Sequence, residues 1–219
     1  MNAVQPVVHL VDDDASFLKA MSRLLRAERF QVQAYSSATD FLARRPRDTP
    51  GCVVVDLQMP GLNGLDLQQE LANAGDPIPV VFLTGHGDIP TSVRAMRQGA
   101  EDFLTKRALK ADLLAAVMRA LDRDAFAREQ RARLRELRAP FDALTPRERE
   151  VLAHVLTGQL NKQIAVDLGI DERSVKRHRA SIMTKLQVQS VTELTRLVDE
   201  AGLQFSYEGS SAGPSRKGL

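Results

Sequence analysis

Polar residues follow the ends of several short apolar runs in this sequence: Asp12, Asp13, Asp56, Thr84 and Lys106. If those runs are parallel β-strands, their carboxyl ends meet at one edge of a sheet, which is where such sheets bind ligands. Grouped carboxylates repel one another unless a cation neutralises them, and Mg²⁺ accepts carboxylate, phosphate and water oxygens. The arrangement therefore predicts a magnesium site suited to phosphoryl chemistry.

Asp56 is the candidate nucleophile of this site. A carboxylate can attack phosphorus and form an acyl phosphate, while a metal ion neutralises charge on the group in transfer. The Lys106 ammonium would then pair with one phosphoryl oxygen, and the Thr84 hydroxyl would donate to another. An aspartate after a strand is often only a helix cap, so the combination of these residues carries the prediction.

The elements that must position these residues alternate along the first half of the chain. Apolar runs that predict β-strands cover residues 7–11, 31–35, 52–55, 80–83 and 102–104. Helix-like segments lie near residues 15–28, 38–45, 65–74 and 90–98. Strands that alternate with helices predict an α/β, doubly wound, parallel sheet of five strands.

Four strings in this region resemble the receiver domain of two-component response regulators: residues 11–14, 55–64, 83–88 and 102–106. The resemblance implies that Asp56 is the phosphoacceptor and that Asp12 and Asp13 are the Mg²⁺ carboxylates. It adds the backbone carbonyl of Gln58 as a metal ligand.

The same resemblance assigns the switch residues. Thr84 and Lys106 would sense the phosphoryl group, and Phe103 would be the aromatic residue whose rotation is coupled to Thr84. Receivers usually follow the sensing lysine with a cis-bonded proline, whereas Arg107 stands here. A cis bond before a non-proline residue costs about 2.5–4 kcal/mol. That cost favours a trans bond and a differently placed Lys106 loop, although phosphorylation is still expected.

The middle of the chain predicts one long helix over residues 108–138, ended by Pro140. Its first half carries an apolar stripe, and its second half is rich in arginine. Asp124 and Arg128 interrupt any heptad pattern, which favours a fifth helix over the sheet that runs on into a solvated linker. We therefore expect a receiver over residues 1–122, a helical linker over 123–140, an all-α domain over 141–203 and a disordered tail over 204–219.

Residues 145–201 predict four short helices, two of them joined as a helix-turn-helix. Thr145 and Glu148 form a capping-box pattern around a proline, which suits the first turn of a helix. A second helix over 161–168 ends at Gly169, and Asp171 can cap the next one.

That next helix carries one-signed charge from Arg173 to Lys185. With Val175, Ile182 and Leu186 as its core stripe, the face that points outward contains Arg173, Lys176, Arg177, Ala180 and Thr184. Such a face suits the major groove of DNA. His178 and Arg179 lie on the flanks, as phosphate contacts or as structural residues. The alternative is a solvated basic face, which we regard as the weaker interpretation.

This second region resembles the LuxR-type helix-turn-helix. A receiver followed by that domain is the layout of the NarL/FixJ response regulators, and the strings 84–88 and 178–180 resemble the FixJ subgroup, which includes aromatic-hydrocarbon regulators. The resemblance implies base contacts by Lys176 and Arg177. It also implies dimerisation through the last helix, with Val191, Leu194 and Val198, and through a receiver face with Ile89, Val93 and Arg97.

The chain has 219 residues, 43% of them hydrophobic, with a net charge of +2 and one cysteine. That composition allows two domains with buried cores and excludes an internal disulfide framework. No apolar stretch approaches the roughly 18 residues of a membrane span, so a cytoplasmic protein without a membrane partner is expected. Bulk charge does not indicate nucleic acid, and only the local clustering does.

The expected function is phosphorylation-controlled transcription regulation rather than catalysis. The partners would be a sensor histidine kinase, double-stranded promoter DNA, a second copy of the chain and RNA polymerase, with activation favoured over repression. One alternative is a Mg²⁺-dependent phosphohydrolase of the haloacid dehalogenase type, but Gln58 stands where that class has its general acid. Another is a receiver-like regulator that binds DNA independently of phosphorylation, which Arg107 alone favours.

Overall fold

A computed structural model of the chain describes residues 5–85 and 89–205. The chain forms two compact units, which divide between Glu129 and Gln130. The division falls within the segment predicted to link the domains. Residues 206–219, most of the predicted tail, lie outside the described residues.

The first unit is built on one parallel sheet with the strand order β2-β1-β3-β4-β5. Its strands are β1 (Val7–Val11), β2 (Gln31–Tyr35), β3 (Gly51–Val55), β4 (Val80–Thr84) and β5 (Asp102–Thr105). Its helices are α1 (Ala15–Ala27), α2 (Ala38–Arg44), α3 (Gly64–Asn73), α4 (Ile89–Arg97) and the first part of α5 (Lys110–Asp142). The predicted five-stranded, doubly wound architecture is confirmed.

Both faces of the sheet are covered by helices, which explains why the strands are so apolar. β3 and β4 are buried at every position. Side chains of α2, α3 and α4 pack on one face, where Phe41 and Phe82 are fully buried. Side chains of α1 and α5 pack on the other, where Leu25 and Val117 are fully buried. Strands buried on both faces need continuous apolar runs, which is the pattern in this sequence.

The polar residues that interrupt the apolar stripe of α5 are anchors rather than solvated groups. Asp124 is buried, and its carboxylate accepts hydrogen bonds from the Gly51 backbone N–H at 2.8 Å and from Arg128 at 2.7 Å. Arg128 also donates to the backbone carbonyls of Asp48 and Thr49, both at 2.7 Å. The prediction of a solvated linker from residue 123 is therefore wrong for Asp124 and Arg128.

The helix α5 also continues past the proline that was expected to end it. Pro140 lies inside the last turn, and the helix ends at Asp142. A proline removes one helical hydrogen bond, but in a last turn that loss is offset by packing. Here Phe141 is buried in the core of the second unit, and its ring lies 5.9 Å from that of Phe205. Phe205, although within the predicted tail, is therefore packed.

The second unit contains α6 (Pro146–Leu156), α7 (Asn161–Leu168), α8 (Glu172–Lys185) and α9 (Val191–Glu200). These four helices confirm the predicted all-α domain. Gly169 closes α7 with φ 63°, the left-handed conformation that favours glycine, and so makes the turn before α8. No helix within the described ranges is both long and apolar enough to cross a membrane.

Candidate functional site

The two strands that carry the acidic residues are neighbours in the sheet. Val11 pairs with Val55, and the Asp56 backbone N–H donates to the Val11 carbonyl at 2.9 Å. β1 and β3 flank the point where the strand order reverses, which is where open α/β sheets bind ligands. Carboxylate oxygens of Asp12, Asp13 and Asp56 lie within 4.8 Å of one another.

Lys106 joins this acidic cluster from the end of β5. Its Nζ lies 2.6 Å from an oxygen of Asp12 and 2.9 Å from an oxygen of Asp56. Burial lowers the pKa of Lys106, but hydrogen bonds to the two carboxylates outweigh burial and raise it. Burial raises the pKa of Asp12, while the hydrogen bond from Lys106 acts in the opposite direction. One ammonium thus sits between two buried carboxylates.

The donor set at this edge fits a magnesium ion. Asp12 and Asp56 are buried, whereas Asp13 is exposed, so the cluster is open to solvent on one side. Gln58 is exposed beside it, and its backbone N–H donates to Asp56 at 3.4 Å. These are hard oxygen ligands, which Mg²⁺ prefers, with room for water. Asp14 instead caps α1, since its carboxylate accepts from backbone N–H groups at the helix start.

The predicted sensing and switch residues lie at the end of β4 and on β5, the strands that follow β3 in the sheet order. Thr84 is buried at the end of β4, and the Lys106 backbone N–H donates to its carbonyl at 2.7 Å. Phe103 is half-buried on β5, with its ring 5.8 Å from that of Phe82. Every described peptide bond is trans, including the one before Arg107.

One residue of this site carries no signal in the sequence. Phe17, half-buried on α1, places its ring beneath the Lys106 ammonium, with Nζ 4.4 Å from the ring centroid. In the sequence it is indistinguishable from the other apolar residues of an amphipathic helix. Only the fold brings it to the site.

The exposed face of α8 is the one predicted from the helical periodicity. Its core stripe of Val175, Ile182 and Leu186 is buried. The exposed residues are Arg173, Lys176, Arg177, Ala180 and Thr184, and His178 and Arg179 are half-buried at the flanks. Lys176 pairs with Glu172 of the same helix at 2.9 Å.

The buried carboxylate of Glu148 links α6 to α8, although the sequence pattern predicts it only as part of a helix cap. Glu148 accepts from the Thr145 backbone N–H at 2.8 Å, which completes the predicted capping box. It also accepts from Ser181 at 2.6 Å and from Lys185 at 2.7 Å, both on α8. Burial raises the pKa of Glu148, but the bonds from Lys185 and Ser181 outweigh burial and lower it to about 2.

The residues proposed for dimer contacts differ in their availability. On α4, Ile89 and Val93 are 80% and 44% exposed, and Arg97 is exposed as well. On α9, Val191 is 38% exposed, but Leu194 and Val198 are buried in the core of their own unit. Leu194 and Val198 therefore cannot supply contact surface without unfolding that core, and this part of the prediction is corrected.

Comparison with known proteins identifies both units. Residues 8–118 match the response regulator receiver domain family, and residues 142–198 match the luxR family of bacterial regulatory proteins. The chain is a two-component response regulator. Its receiver is followed by a LuxR-type DNA-binding domain, the layout of the NarL/FixJ type.

This response regulator is similar to others along most of its length. It is 43% identical over 199 residues to the response regulator protein TmoT of Ectopseudomonas mendocina, covering 91% of this chain and 90% of that one. It is 41% identical over 197 residues to the transcriptional regulatory protein FixJ of Azorhizobium caulinodans, covering 90% and 93%. The solved structure of the response regulator StyR matches with a TM-score of 0.76 and 43% identity, covering 90% and 99%.

Proposed function

We propose that a sensor histidine kinase phosphorylates Asp56 and that this switches the dimerisation and promoter binding of the response regulator. The observation that carries the proposal is the cluster of three carboxylates within 4.8 Å, with Lys106 in contact with two of them. An ionised carboxylate beside a cation site and a lysine is what acyl-phosphate formation requires.

In the proposed transfer, an oxygen of Asp56 attacks phosphorus, and the bond from phosphorus to the nitrogen of the kinase histidine breaks. Asp12, Asp13, Asp56 and the Gln58 carbonyl would hold Mg²⁺, which neutralises charge on the phosphoryl group. Lys106, already 2.9 Å from Asp56, pairs with a phosphoryl oxygen on the product.

The proposed switch follows from the new charge on Asp56. The Thr84 hydroxyl turns to a phosphoryl oxygen and leaves space that the half-buried ring of Phe103 fills. This movement alters the α4 face, where Ile89, Val93 and Arg97 would contact a second copy. A dimer places two copies of α8 on two half-sites, which raises the affinity for DNA.

The proposed DNA contacts are Arg173, Lys176, Arg177, His178 and Arg179. Arg173, Lys176 and Arg177 are exposed, and Lys176 and Arg177 are the candidates for base contacts. The half-buried His178 and Arg179 suit phosphates. The remaining α9 candidate for dimer contact is Val191.

We further propose the organisation and setting of this regulator. Residues 1–122 would receive the phosphoryl group, residues 123–140 would connect, and residues 141–203 would bind promoter DNA and favour activation through RNA polymerase. The protein would act in the cytoplasm. It would not hydrolyse small phosphate esters, and its only hydrolytic reaction would be the slow loss of its own phosphoryl group.

Intact-mass analysis after incubation with acetyl phosphate and Mg²⁺ tests the proposal, together with size-exclusion chromatography and an Asp56→Asn control. We expect one phosphoryl adduct on the wild type alone and a shift of that sample to a dimer. Unlabelled wild type with full operator affinity would instead favour a regulator that is independent of phosphorylation. An Asp56→Asn protein whose dimerisation still depended on the phosphodonor would contradict Asp56 as the acceptor.

A further inference from the structure

We propose that Phe17 is a positioning residue for Lys106: its ring holds the lysine ammonium at the carboxylate site and so helps set the rate at which Asp56 is phosphorylated. The inference rests on the proposed role of Asp56. It gives a residue of α1 a role in phosphoryl transfer, in addition to the roles proposed for Asp12 and Asp13, which precede this helix.

Within the described part of the chain, three groups contact the ammonium of Lys106. They are the oxygens of Asp12 and Asp56, at 2.6 and 2.9 Å, and the ring of Phe17, whose centroid is 4.4 Å away. A cation within about 6 Å of an aromatic centroid is attracted to the face of the ring, and the attraction grows as the pair loses water. The Lys106 side chain is only 20% exposed.

The position of the ring is fixed by the start of α1. Asp14 caps this helix and accepts a hydrogen bond from the Phe17 backbone N–H at 3.1 Å. The ring also packs against the apolar core between α1, α5 and the sheet. Asp12 and Phe17, which both contact the Lys106 ammonium, are thus only five residues apart in the chain.

A lysine side chain is flexible, and the entropy lost when it is ordered opposes its use at a fixed position. Catalysis of phosphoryl transfer depends on charges that are already in place when charge develops. The two carboxylates attract the ammonium, but Asp56 must release it to attack phosphorus, and Asp12 is a proposed ligand of Mg²⁺. Phe17 is the contact that does not take part in the reaction and can persist through it.

The test is a series at residue 17 in the full-length protein, labelled by acetyl phosphate with Mg²⁺ and followed by intact mass. Phe17→Leu keeps an apolar side chain and removes the ring, and we expect labelling to slow about two- to five-fold, equivalent to about 0.5–1 kcal/mol. Phe17→Tyr keeps the ring and should restore the wild-type rate. Met21→Leu is the matched control, because Met21 lies on the same helix and packs against the same apolar core as Phe17.

A double-mutant cycle separates positioning from packing. If the ring acts through the lysine, Phe17→Leu will not slow labelling further in a Lys106→Met background. The same loss in both backgrounds would overturn the proposal and leave Phe17 as a packing residue.

A second measurement needs neither Mg²⁺ nor a phosphodonor. In protein with ¹³C-labelled lysine, the ring current of Phe17 should shift the ε-methylene protons of Lys106 upfield, and Phe17→Leu should remove that shift. An unchanged spectrum would overturn the proposed contact. Failure of the wild type to be labelled at all would contradict the role of Asp56 while leaving the contact measurable in this way.

Discussion

At the scale of single residues, several buried charged or titratable side chains have their ionisation set by neighbours. His9 is fully buried on β1, and burial, followed by the charge of Arg45, lowers its pKa to about 4. Its Nδ1 lies 3.2 Å from the Tyr35 hydroxyl. Each such residue makes the stability of its unit depend on pH in a direction that can be stated.

For His9 the unfolded chain binds a proton below about pH 6.5, whereas the folded chain binds it only near pH 4. Stability is therefore lost as pH falls from about 6.5 to about 4. We expect the receiver to lose about 1–2 kcal/mol between pH 7 and pH 5 from this residue alone. Hydrogen exchange of β1 amides at the two pH values measures the loss. His9→Phe should show less of it, and an equal loss in the variant would contradict this account.

Glu148 gives the opposite case of a carboxylate held ionised. Its pKa of about 2 means that its contribution is present above about pH 4.5 and is lost as pH falls towards 2. We expect Glu148→Gln to destabilise the DNA-binding unit by about 1–3 kcal/mol at neutral pH, because Lys185 loses its charged partner.

Thermal unfolding of the full-length protein, with the transition of this unit assigned by circular dichroism, checks the Glu148 prediction. Glu150→Gln is the matched control, since Glu150 is two residues away, is 48% exposed, and pairs with Arg147 of the same helix. Equal shifts of the midpoint in the two variants would refute the special role of Glu148.

At the scale of elements, the start of α3 lies against Asp56. A Cβ added at Gly64 would stand 2.5 Å from the Asp56 carbonyl oxygen and 3.0 Å from the Phe82 ring. The capping box of Asn63 and Asp66 fixes the helix at that approach. The glycine thus lets α3 pack directly behind Asp56.

We expect Gly64→Ala to destabilise the receiver by about 1–3 kcal/mol and to slow labelling of Asp56, because either α3 or Asp56 must shift. Chemical denaturation and intact-mass labelling check the two effects. Normal stability together with a normal labelling rate would show that the contact relaxes without consequence.

Elements of this protein were predictable where one physical rule dominates. Strands buried on both faces must be apolar throughout, so β1, β3 and β4 and the site residues after them followed from the pattern. The end of α5 could not be predicted from the pattern, because the local effect of Pro140 competes with the packing of Phe141. The burial of Leu194 and Val198 could not be predicted either, since an apolar stripe on a helix can pack in its own core as well as against a partner. Phe17 has no local signature at all.

At the scale of the whole molecule, the proposed dimerisation depends on surfaces that stay exposed within each unit. Ile89 on α4 is 80% exposed, so a charge there costs the fold little. We expect Ile89→Asp to leave stability and Asp56 labelling unchanged but to weaken dimerisation of the phosphorylated protein at least ten-fold. A desolvated charge opposes an apolar interface strongly.

Sedimentation of the labelled protein measures this effect. Leu109→Asp is the control, because Leu109 is 71% exposed at the start of α5, outside the proposed contact face. A dimer that tolerates Ile89→Asp as well as it tolerates Leu109→Asp would argue against the α4 face.

The anchors along α5 also decide where hybrid regulators can be joined. A graft that cut the chain after residue 122 would discard Asp124 and Arg128 and strand the buried N–H of Gly51. On the other side, Arg138 donates to the Ala201 carbonyl at 2.7 Å, so a transplanted effector needs that arginine too. Chimaeras that exchange receiver or DNA-binding units should therefore be spliced between Arg128 and Arg138, so that each unit keeps the anchor described here.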